Sequence, residues 1–336
     1  MQHFQRLAAS TLIARTLACA SACAIAQLSI AAPTLTLTSA GSMQIPHSKG
    51  KFDFLRIDAR RNRLLAAHEN DGTADYFDLK KQKLLVRLKV GGAVDTAIDN
   101  ESKFYYLSVQ EAQRVAIVDA ASLKEVKSVK MPGPTDAVLY ESRNHLVYAT
   151  HDGGSDVWVI DPAAAKVIAT VTIPGVPEFM VYDAGADRIY LNIKTKDLVA
   201  VIDPATNKVV AQWPTAPALL PHGMALDIGR HRIFVAGGNG KLSIVDTLTG
   251  LMTDSADIVP KVDQIAFDDH NGLVYCAGTD RMSVVRTSGV KAVTLGDFPT
   301  AATARNVAVD PATHAVWTTY TDGTNSFAKS WKPPLP

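Results

Sequence analysis

Acidic and basic side chains recur at one position of a repeated pattern in this chain. They fall at intervals of 42, 41, 42, 44, 41 and 42 residues: Asp53, Asp95, Asp136, Glu178, His222, Asp263 and Arg305. If these side chains converge, five carboxylates, one imidazole and one guanidinium share a site. Converging carboxylates raise one another's pKa values unless a cation compensates their charge. The pattern therefore predicts a site for a cation.

A divalent metal ion is one candidate for that cation. Oxygen-rich surroundings with one imidazole suit Ca²⁺, Mg²⁺ or Mn²⁺ better than structural Zn²⁺, which prefers cysteine and histidine. Asp136, Glu178 and Asp263 are the candidate metal ligands. The alternative is structural, since such acids also cap strand starts or accept hydrogen bonds from the backbone amides of a neighbouring repeat. The residue pattern leaves both hypotheses open.

Two further histidines are predicted on the same face. His68 in AAHENDG and His151 in ATHDGG occupy equivalent positions in the first and third repeats, at the end of a second strand. Because that strand runs antiparallel to the first, its end returns to the opening where the first strand begins. We expect both histidines to rim this opening, with Tyr320 near the equivalent position of the last repeat. The alternative is that they are solvated turn residues without a ligand.

Short strands must position all of these residues. Each copy contains a first strand such as DAVLYE, a polar turn, a second strand such as HLVYAT, a third strand ending in Asp such as VWVID, and a fourth such as KVIATVTIP. A repeat of this length with four strands is typical of a β-propeller blade. The seven copies predict an all-β, seven-bladed β-propeller whose first strands line the central channel.

The last copy lacks a fourth strand of its own. NSFAKSW runs into KPPLP, residues 332–336, and these prolines cannot continue a ladder. The stretch from Leu35 to Ile45 starts with the alternating sequence LTLT, so we expect this N-terminal strand to close the ring on the last blade. The predicted domains are a signal peptide (1–31), a single propeller (33–331) and a Pro-rich tail (332–336).

The N-terminal residues are typical of a cleaved secretory signal peptide. Arg6 and Arg15 precede an apolar run that ends in small residues, with candidate cleavage sites after Ala26 and Ala31. The run is shorter than the roughly 20 apolar residues of a membrane-spanning helix. We therefore expect a periplasmic or secreted protein whose mature form has no transmembrane segment. Acylation of Cys23, as in a lipoprotein, is an alternative.

Composition and missing motifs exclude several functions. A formal net charge of +1 gives no broad basic surface for nucleic acid, so we do not expect nucleic-acid binding. The sequence has no Cys-x-x-Cys-His for haem attachment and no Gly-rich phosphate loop after a strand. The tryptophan docking motif of quinoprotein propellers is not repeated, which argues against the cofactor PQQ. No cofactor is certain from the sequence.

Fragments of the repeats resemble the YVTN-repeat β-propeller family of exported bacterial and archaeal proteins. The matching fragments are VIDP at 159–162, VIDPATNK at 201–208 and IYLN at 189–192, the last standing where the family has its namesake tetrapeptide. The resemblance covers roughly residues 45 to 330. It implies a seven-bladed fold and an extracytoplasmic setting. Because the family is functionally heterogeneous, it implies no catalytic residues.

These residues and motifs favour two classes of function. The first is a monomeric binding module whose channel mouth recognises a small ligand, a cell-envelope component or a protein partner. The second is a divalent-metal-dependent lactonase or related hydrolase, in which His222, His68 or His151 moves protons. The sequence shows no recognisable pairing of a nucleophile with a base, which favours binding over catalysis. It leaves the identity of the ligand open.

Overall fold

The computed structural model describes residues 36–289 and 291–333. Within these ranges the chain forms 28 β-strands in seven four-stranded antiparallel sheets, and two short 3₁₀ helices at Glu69–Asp71 and Ile228–Arg230. The predicted seven-bladed propeller is confirmed. The predicted signal peptide lies outside the described residues. No helix in the described ranges has the length and apolar character needed to cross a bilayer.

The blades follow one another along the chain, and each runs from its innermost to its outermost strand. Blades 1 to 3 consist of β2 (Leu55–Asp58), β3 (Arg63–His68), β4 (Thr73–Asp78) and β5 (Lys83–Lys89); β6 (Ala93–Ile98), β7 (Phe104–Val109), β8 (Arg114–Asp119) and β9 (Lys124–Lys130); β10 (Thr135–Glu141), β11 (Leu146–His151), β12 (Asp156–Asp161) and β13 (Lys166–Thr172). Blades 4 and 5 consist of β14 (Pro177–Asp183), β15 (Arg188–Ile193), β16 (Leu198–Asp203) and β17 (Lys208–Pro214); β18 (Pro221–Asp227), β19 (Arg232–Gly237), β20 (Lys241–Asp246) and β21 (Met252–Asp257). Blade 6 consists of β22 (Gln264–Asp268), β23 (Leu273–Ala277), β24 (Arg281–Arg286) and β25 (Val293–Pro299).

Blade 7 is built from both ends of the described chain. Its order is β26 (Ala308–Val309), β27 (Val316–Thr321), β28 (Ser326–Lys332) and β1 (Thr38–Ile45), and β1 pairs antiparallel with β28. This confirms the predicted closure of the ring by the N-terminal strand. The last strand extends to Lys332, one residue beyond the predicted end of the propeller.

The innermost strands form a closed ring around the channel. Each of β2, β6, β10, β14, β18, β22 and β26 contacts the innermost strand of both neighbouring blades. Met43 and Ile45 of β1 are buried in a cluster that also contains Phe52, Leu64 and Trp317, so one apolar core joins blade 7 to blade 1. Closure therefore rests on apolar burial as well as on strand pairing.

The third strands and the outermost strands of the blades differ in burial. Third strands such as β12 and β16 bury four consecutive apolar residues because neighbouring blades cover both of their faces. The outermost strands are more exposed, with alternating burial in β13 and β17, and each outermost strand of blades 1 to 6 carries a bulge. In blades 2 and 4 the bulged residues are Val126 and Val210, which are 51% and 52% exposed. Bulges at an outer edge hinder pairing with another chain.

Strand β1 offers a direct test of closure. Ile45 is fully buried, whereas the adjacent Gln44 faces solvent on the same strand. Ile45→Asp places an unpaired charge in the core that joins blades 7 and 1, so we expect a loss of about 3 kcal/mol or more. Gln44→Asp should change stability by less than about 0.5 kcal/mol. Thermal unfolding followed by circular dichroism measures both, and equal stabilities of the two variants would contradict this mode of closure.

Candidate functional site

Three of the aligned residues lie where the innermost strand leaves the regular ladder. The pairing of β10 with β11, of β14 with β15 and of β18 with β19 is interrupted at Asp136, Glu178 and His222 respectively. Irregularities of this kind redirect a side chain away from the face it would occupy in a regular strand. Asp136, Glu178 and His222 lie at the end of the channel where the innermost strands begin. We call this end the channel mouth.

Polar side chains from the second strands hold these irregular segments. Asn192 donates to the backbone carbonyls of His222, at 2.7 Å, and Gly223, at 3.3 Å. The hydroxyl of Thr150 accepts from the amide of Ala137 at 2.9 Å. Gly223 is required for packing, because a Cβ there would lie 2.9 Å from the backbone nitrogen of Ile265 in the next blade. The mouth residues therefore stand on a fixed backbone.

Five side chains form a chain of ion pairs across blades 4 to 7. Lys194 pairs with Glu178, whose other oxygen lies 3.5 Å from Nδ1 of His222. The same nitrogen is 3.9 Å from Asp263, and Asp263 accepts from Nε of Arg305 at 2.8 Å. Positive and negative groups thus alternate, and the charges of both acids are compensated.

The pKa values of this chain of ion pairs follow from the pairing. Burial acts to raise the pKa of Glu178, but the contacts with His222 and Lys194 outweigh it and leave the pKa below its ordinary value. The interaction with Glu178 raises the pKa of His222 even though burial opposes it. His222 is consequently biased towards its protonated form.

Asp53 and Asp136 are compensated much less. Burial and the charge of Asp263 raise the pKa of Asp53 to about 7, although Lys51 lies 3.3 Å from its carboxylate. Asp136 makes no hydrogen bond or ion pair with any residue of the described part of the chain. Burial, followed by the charges of Glu178 and Asp53, raises the pKa of Asp136 well above its ordinary value. The mouth therefore contains two acids that lack a strong cationic partner.

Asp95 has a structural role away from the mouth site. Its fully buried carboxylate accepts two hydrogen bonds from Arg56, at 2.9 and 2.7 Å, and another from the amide of Val138 at 3.1 Å. Arg56 in turn lies over the ring of Phe179 at 4.5 Å. This one carboxylate joins blades 1, 2 and 3, which matches the structural alternative considered for the aligned acids.

His68 does not rim the opening as the sequence suggested, because it is fully buried. Its Nδ1 lies 2.7 Å from Asp75, its Nε2 lies 3.1 Å from the carbonyl oxygen of Gly50, and its ring stacks on Phe52 at 3.7 Å. The hydrogen bond to a buried carboxylate draws the imidazole into the blade rather than into the turn that follows.

Ser48 completes a serine, histidine and aspartate arrangement around His68. Its hydroxyl lies 3.5 Å from Nε2 of His68, but it is buried and donates to Asp71 at 2.6 Å. Its carbonyl accepts from the hydroxyl of Ser326 in blade 7 at 3.0 Å. A nucleophilic serine must be reachable and must pass its proton to the histidine. This network therefore stabilises the joint between blades 1 and 7.

The other two predicted rim residues are partly exposed. His151 pairs with Thr135 across the ladder, at the end of β11 that reaches the mouth, and its ring packs on Trp158 at 4.6 Å. Its Nδ1 has no hydrogen-bond partner among the described residues and lies 3.7 Å from Asp156. Tyr320 stacks on Phe327 at 5.0 Å. Neither residue contacts the ion-pair chain.

The candidate metal ligands do not form a metal centre. No three His, Cys, Asp or Glu side chains within residues 36–289 and 291–333 adopt an arrangement that could hold a metal ion. Glu178 and Asp263 are already engaged by Lys194 and Arg305, and only Asp136 has free oxygens. Ca²⁺, Mg²⁺ and Mn²⁺ need several convergent oxygen ligands.

The sequence analysis did not identify three basic residues close to the aligned acids. The five carboxylates therefore carry less uncompensated negative charge than their alignment suggested. Lys51, Arg56 and Lys194 bring cations to Asp53, Asp95 and Glu178. Arg56 lies in an innermost strand and Lys194 directly follows a second strand, so their positions in the repeat could have placed them near the aligned acids. Lys51 lies in the connection before β2, where no repeat position marks it.

Comparisons with known proteins identify the fold alone. No family model matches the chain, and no curated protein matches it. A structure titled Mitotic Checkpoint Complex is 12% identical over 98% of each chain, with a TM-score of 0.76. The β-propeller domain of Cps50 (Swd1) from Myceliophteria thermophila is 13% identical over 88% of this chain and 99% of that one, with a TM-score of 0.72. Hydrazine synthase from Kuenenia stuttgartiensis is 14% identical over 84% and 95%, with a TM-score of 0.71.

The raised pKa of Asp136 predicts how its removal changes stability. The folded chain holds this proton at pH values where the unfolded chain, with a pKa near 3.8, has lost it. Stability therefore falls as the pH rises from the unfolded to the folded pKa. Asp136→Asn abolishes this ionisation, so we expect a melting temperature about 2–5 °C above wild type at pH 8, with a smaller excess at pH 5 and none below the unfolded pKa.

Thermal unfolding at several pH values tests this prediction. Asp269→Asn is a matched control, because Asp269 is an exposed acid in the turn after β22, at the opposite end of the channel. It should leave the difference between pH 5 and pH 8 unchanged. A variant at Asp136 that melts below wild type at pH 8 would show that the carboxylate is compensated in the folded protein.

Proposed function

We propose that this chain is an exported β-propeller of the YVTN type that binds a positively charged group of a ligand or protein partner at its channel mouth. The observation that carries the proposal is the state of Asp136. This acid is surrounded by other acids and makes no ion pair within the described residues. Its side chain is partly shielded from solvent, and carboxylates removed from water are usually paired. An ammonium or guanidinium group entering the mouth would supply the missing partner.

The neighbouring groups favour such a guest over an anion. The only ion-pair partner of Asp53 within the described residues is the exposed Lys51, at 3.3 Å, and the pKa of Asp53 is raised to about 7. A bound cation would lower the pKa of both acids, so ionisation and binding would reinforce each other. Charge-assisted hydrogen bonds to carboxylates are about twice as strong as neutral ones. The alternating pairs around His222 would keep the rest of the mouth rigid.

A protein partner is the form of guest that the architecture supports best. The closed ring presents fixed charges at its mouth, and the structure titled Mitotic Checkpoint Complex is that of a complex. Exposed lysine and arginine side chains are common on proteins and reach several ångströms into a cleft. The hydrolase alternative would require a ligand set that the described carboxylates do not supply.

Binding of a basic peptide tests the proposal. Calorimetric titration with a capped tri-arginine peptide should show one saturable site, and a capped tri-glutamate peptide should show none. Replacing the two weakly compensated acids, Asp53→Asn with Asp136→Asn, should weaken binding of the tri-arginine peptide at least tenfold, because the variant loses both charge-assisted contacts. Wild-type affinity should increase from pH 5 to pH 8 as the two carboxyls ionise.

The matched control is again Asp269→Asn, which removes the same charge from the opposite end of the channel. It should bind the tri-arginine peptide like wild type. The proposal is wrong if the double variant keeps wild-type affinity, or if the tri-glutamate peptide binds more tightly than the basic one.

Export is tested on the full-length chain in a Gram-negative host. The protein should accumulate in the periplasmic fraction, and mass spectrometry should find its N-terminus at Gln27 or Ala32. Reversing the charge of the leader, Arg6→Glu with Arg15→Glu, should retain the protein in the cytoplasm, since the basic region directs export. The control Arg60→Glu, in an exposed turn of blade 1, should leave export unchanged. A cytoplasmic wild-type protein that begins at its first residues would refute export.

A further inference from the structure

A cleft lies between blades 2 and 3 at the opposite end of the channel from the mouth. Its volume is about 760 Å³, and its walls include the turn after β6 and the turn before β11. The size falls within the range of small-molecule sites. No residue of the mouth site contributes to it.

The cleft lies at a junction where the second strand begins with a residue other than arginine. Arg63 and Arg232 each begin a second strand and donate to the first carbonyl after the third strand of the next blade, that of Ala120 and that of Thr287 at 3.0 Å. Phe104 is the equivalent residue of blade 2, and it cannot donate a hydrogen bond. The space filled by a guanidinium at those two junctions remains open here.

Aromatic and aliphatic side chains form the walls. Tyr106 of blade 2 and Tyr140 of blade 3 stack with their centroids 5.7 Å apart and their planes within 8°. Phe104 and Ile117 extend this surface, and Val126 is 51% exposed beside it. Parallel rings offer a flat face on which another planar ring can stack.

The charged groups that line the cleft already have partners. Asp99 accepts hydrogen bonds from the backbone amides of Glu101, Lys103 and Phe104 at 3.0, 2.8 and 2.9 Å. Glu101 and Lys103 form an ion pair with each other. The Tyr140 hydroxyl lies 2.7 Å from Nδ1 of His145. A charged ligand would therefore find no free charged group to pair with, whereas an uncharged ligand needs none.

We propose that the cleft between Phe104, Tyr106, Tyr140 and Val126 binds an uncharged, planar aromatic small molecule. The stacked tyrosines would hold the ring, and Phe104 and Val126 would cover its edges. The Tyr140 hydroxyl, next to His145, is placed to donate or accept one hydrogen bond at the rim. This site is independent of the proposed cation site at the mouth.

The neutral fluorophore N-phenyl-1-naphthylamine tests the site, because its emission rises in apolar surroundings. Wild-type protein should bind one equivalent saturably, with a dissociation constant on the order of 100 μM or tighter. Phe104→Arg introduces the residue that begins the second strand in blades 1, 4 and 5 and should fill the cleft, weakening binding at least tenfold. Val126→Lys should weaken it several-fold without touching the core.

Val210→Lys is the matched control, since Val210 is the bulged residue of blade 4 and is exposed to the same extent as Val126. It should bind the probe like wild type. The proposal fails if the probe does not saturate, or if Val126→Lys binds as tightly as Val210→Lys. Light scattering adds a separate check: a wild-type dimer converted to monomer by Val126→Lys alone would assign the cleft to a second copy of the chain instead.

Discussion

The position of every side chain at the channel mouth depends on a ring that must close. Each innermost strand is held by the innermost strands of two neighbours, so an opening at one joint would release the geometry of all seven. The chain supplies three strands of the last blade from one end and the fourth from the other, through the pairing of β1 with β28. Apolar burial around Ile45 and the buried network of Ser48, His68 and Asp75 reinforce this joint. Residues that resemble catalytic machinery serve the closure of the fold.

The rigid ring then determines which charges meet. Lys194, Glu178, His222, Asp263 and Arg305 compensate one another in sequence around half of the mouth. The side chain of Asp95 is buried between blades, where it forms an ion pair with Arg56. Asp53 and Asp136 remain, with raised pKa values that reflect burial without an adequate counter-charge. Groups held in an unfavourable state by a rigid scaffold are typical of binding sites, where a ligand relieves the cost.

Much of the fold could be predicted because the repeat makes one strand pattern visible seven times. The four-stranded blades and the closing role of the N-terminal strand follow from periodicity and from the prolines after Lys332. The repeat register also located the aligned residues correctly at the mouth in blades 3 to 5. It could not show which acids are paired, since the cations come from other repeat positions, as with Lys194, or from connections, as with Lys51. Nor could it show that His68 is buried, because that depends on a hydrogen bond to Asp75 on the neighbouring strand.

Asp53 and Asp136 form a cation site only if too little positive charge surrounds them in the folded protein. Carboxyl ¹³C NMR titration of the labelled, folded protein measures this directly, with each signal assigned through its asparagine variant. We predict that Asp53 titrates at about 7 and Asp136 well above its ordinary range, and that a bound tri-arginine peptide lowers both values. Titration of both residues near 4, the value of an unperturbed aspartate, would show that the mouth is already neutralised and would contradict the cation site.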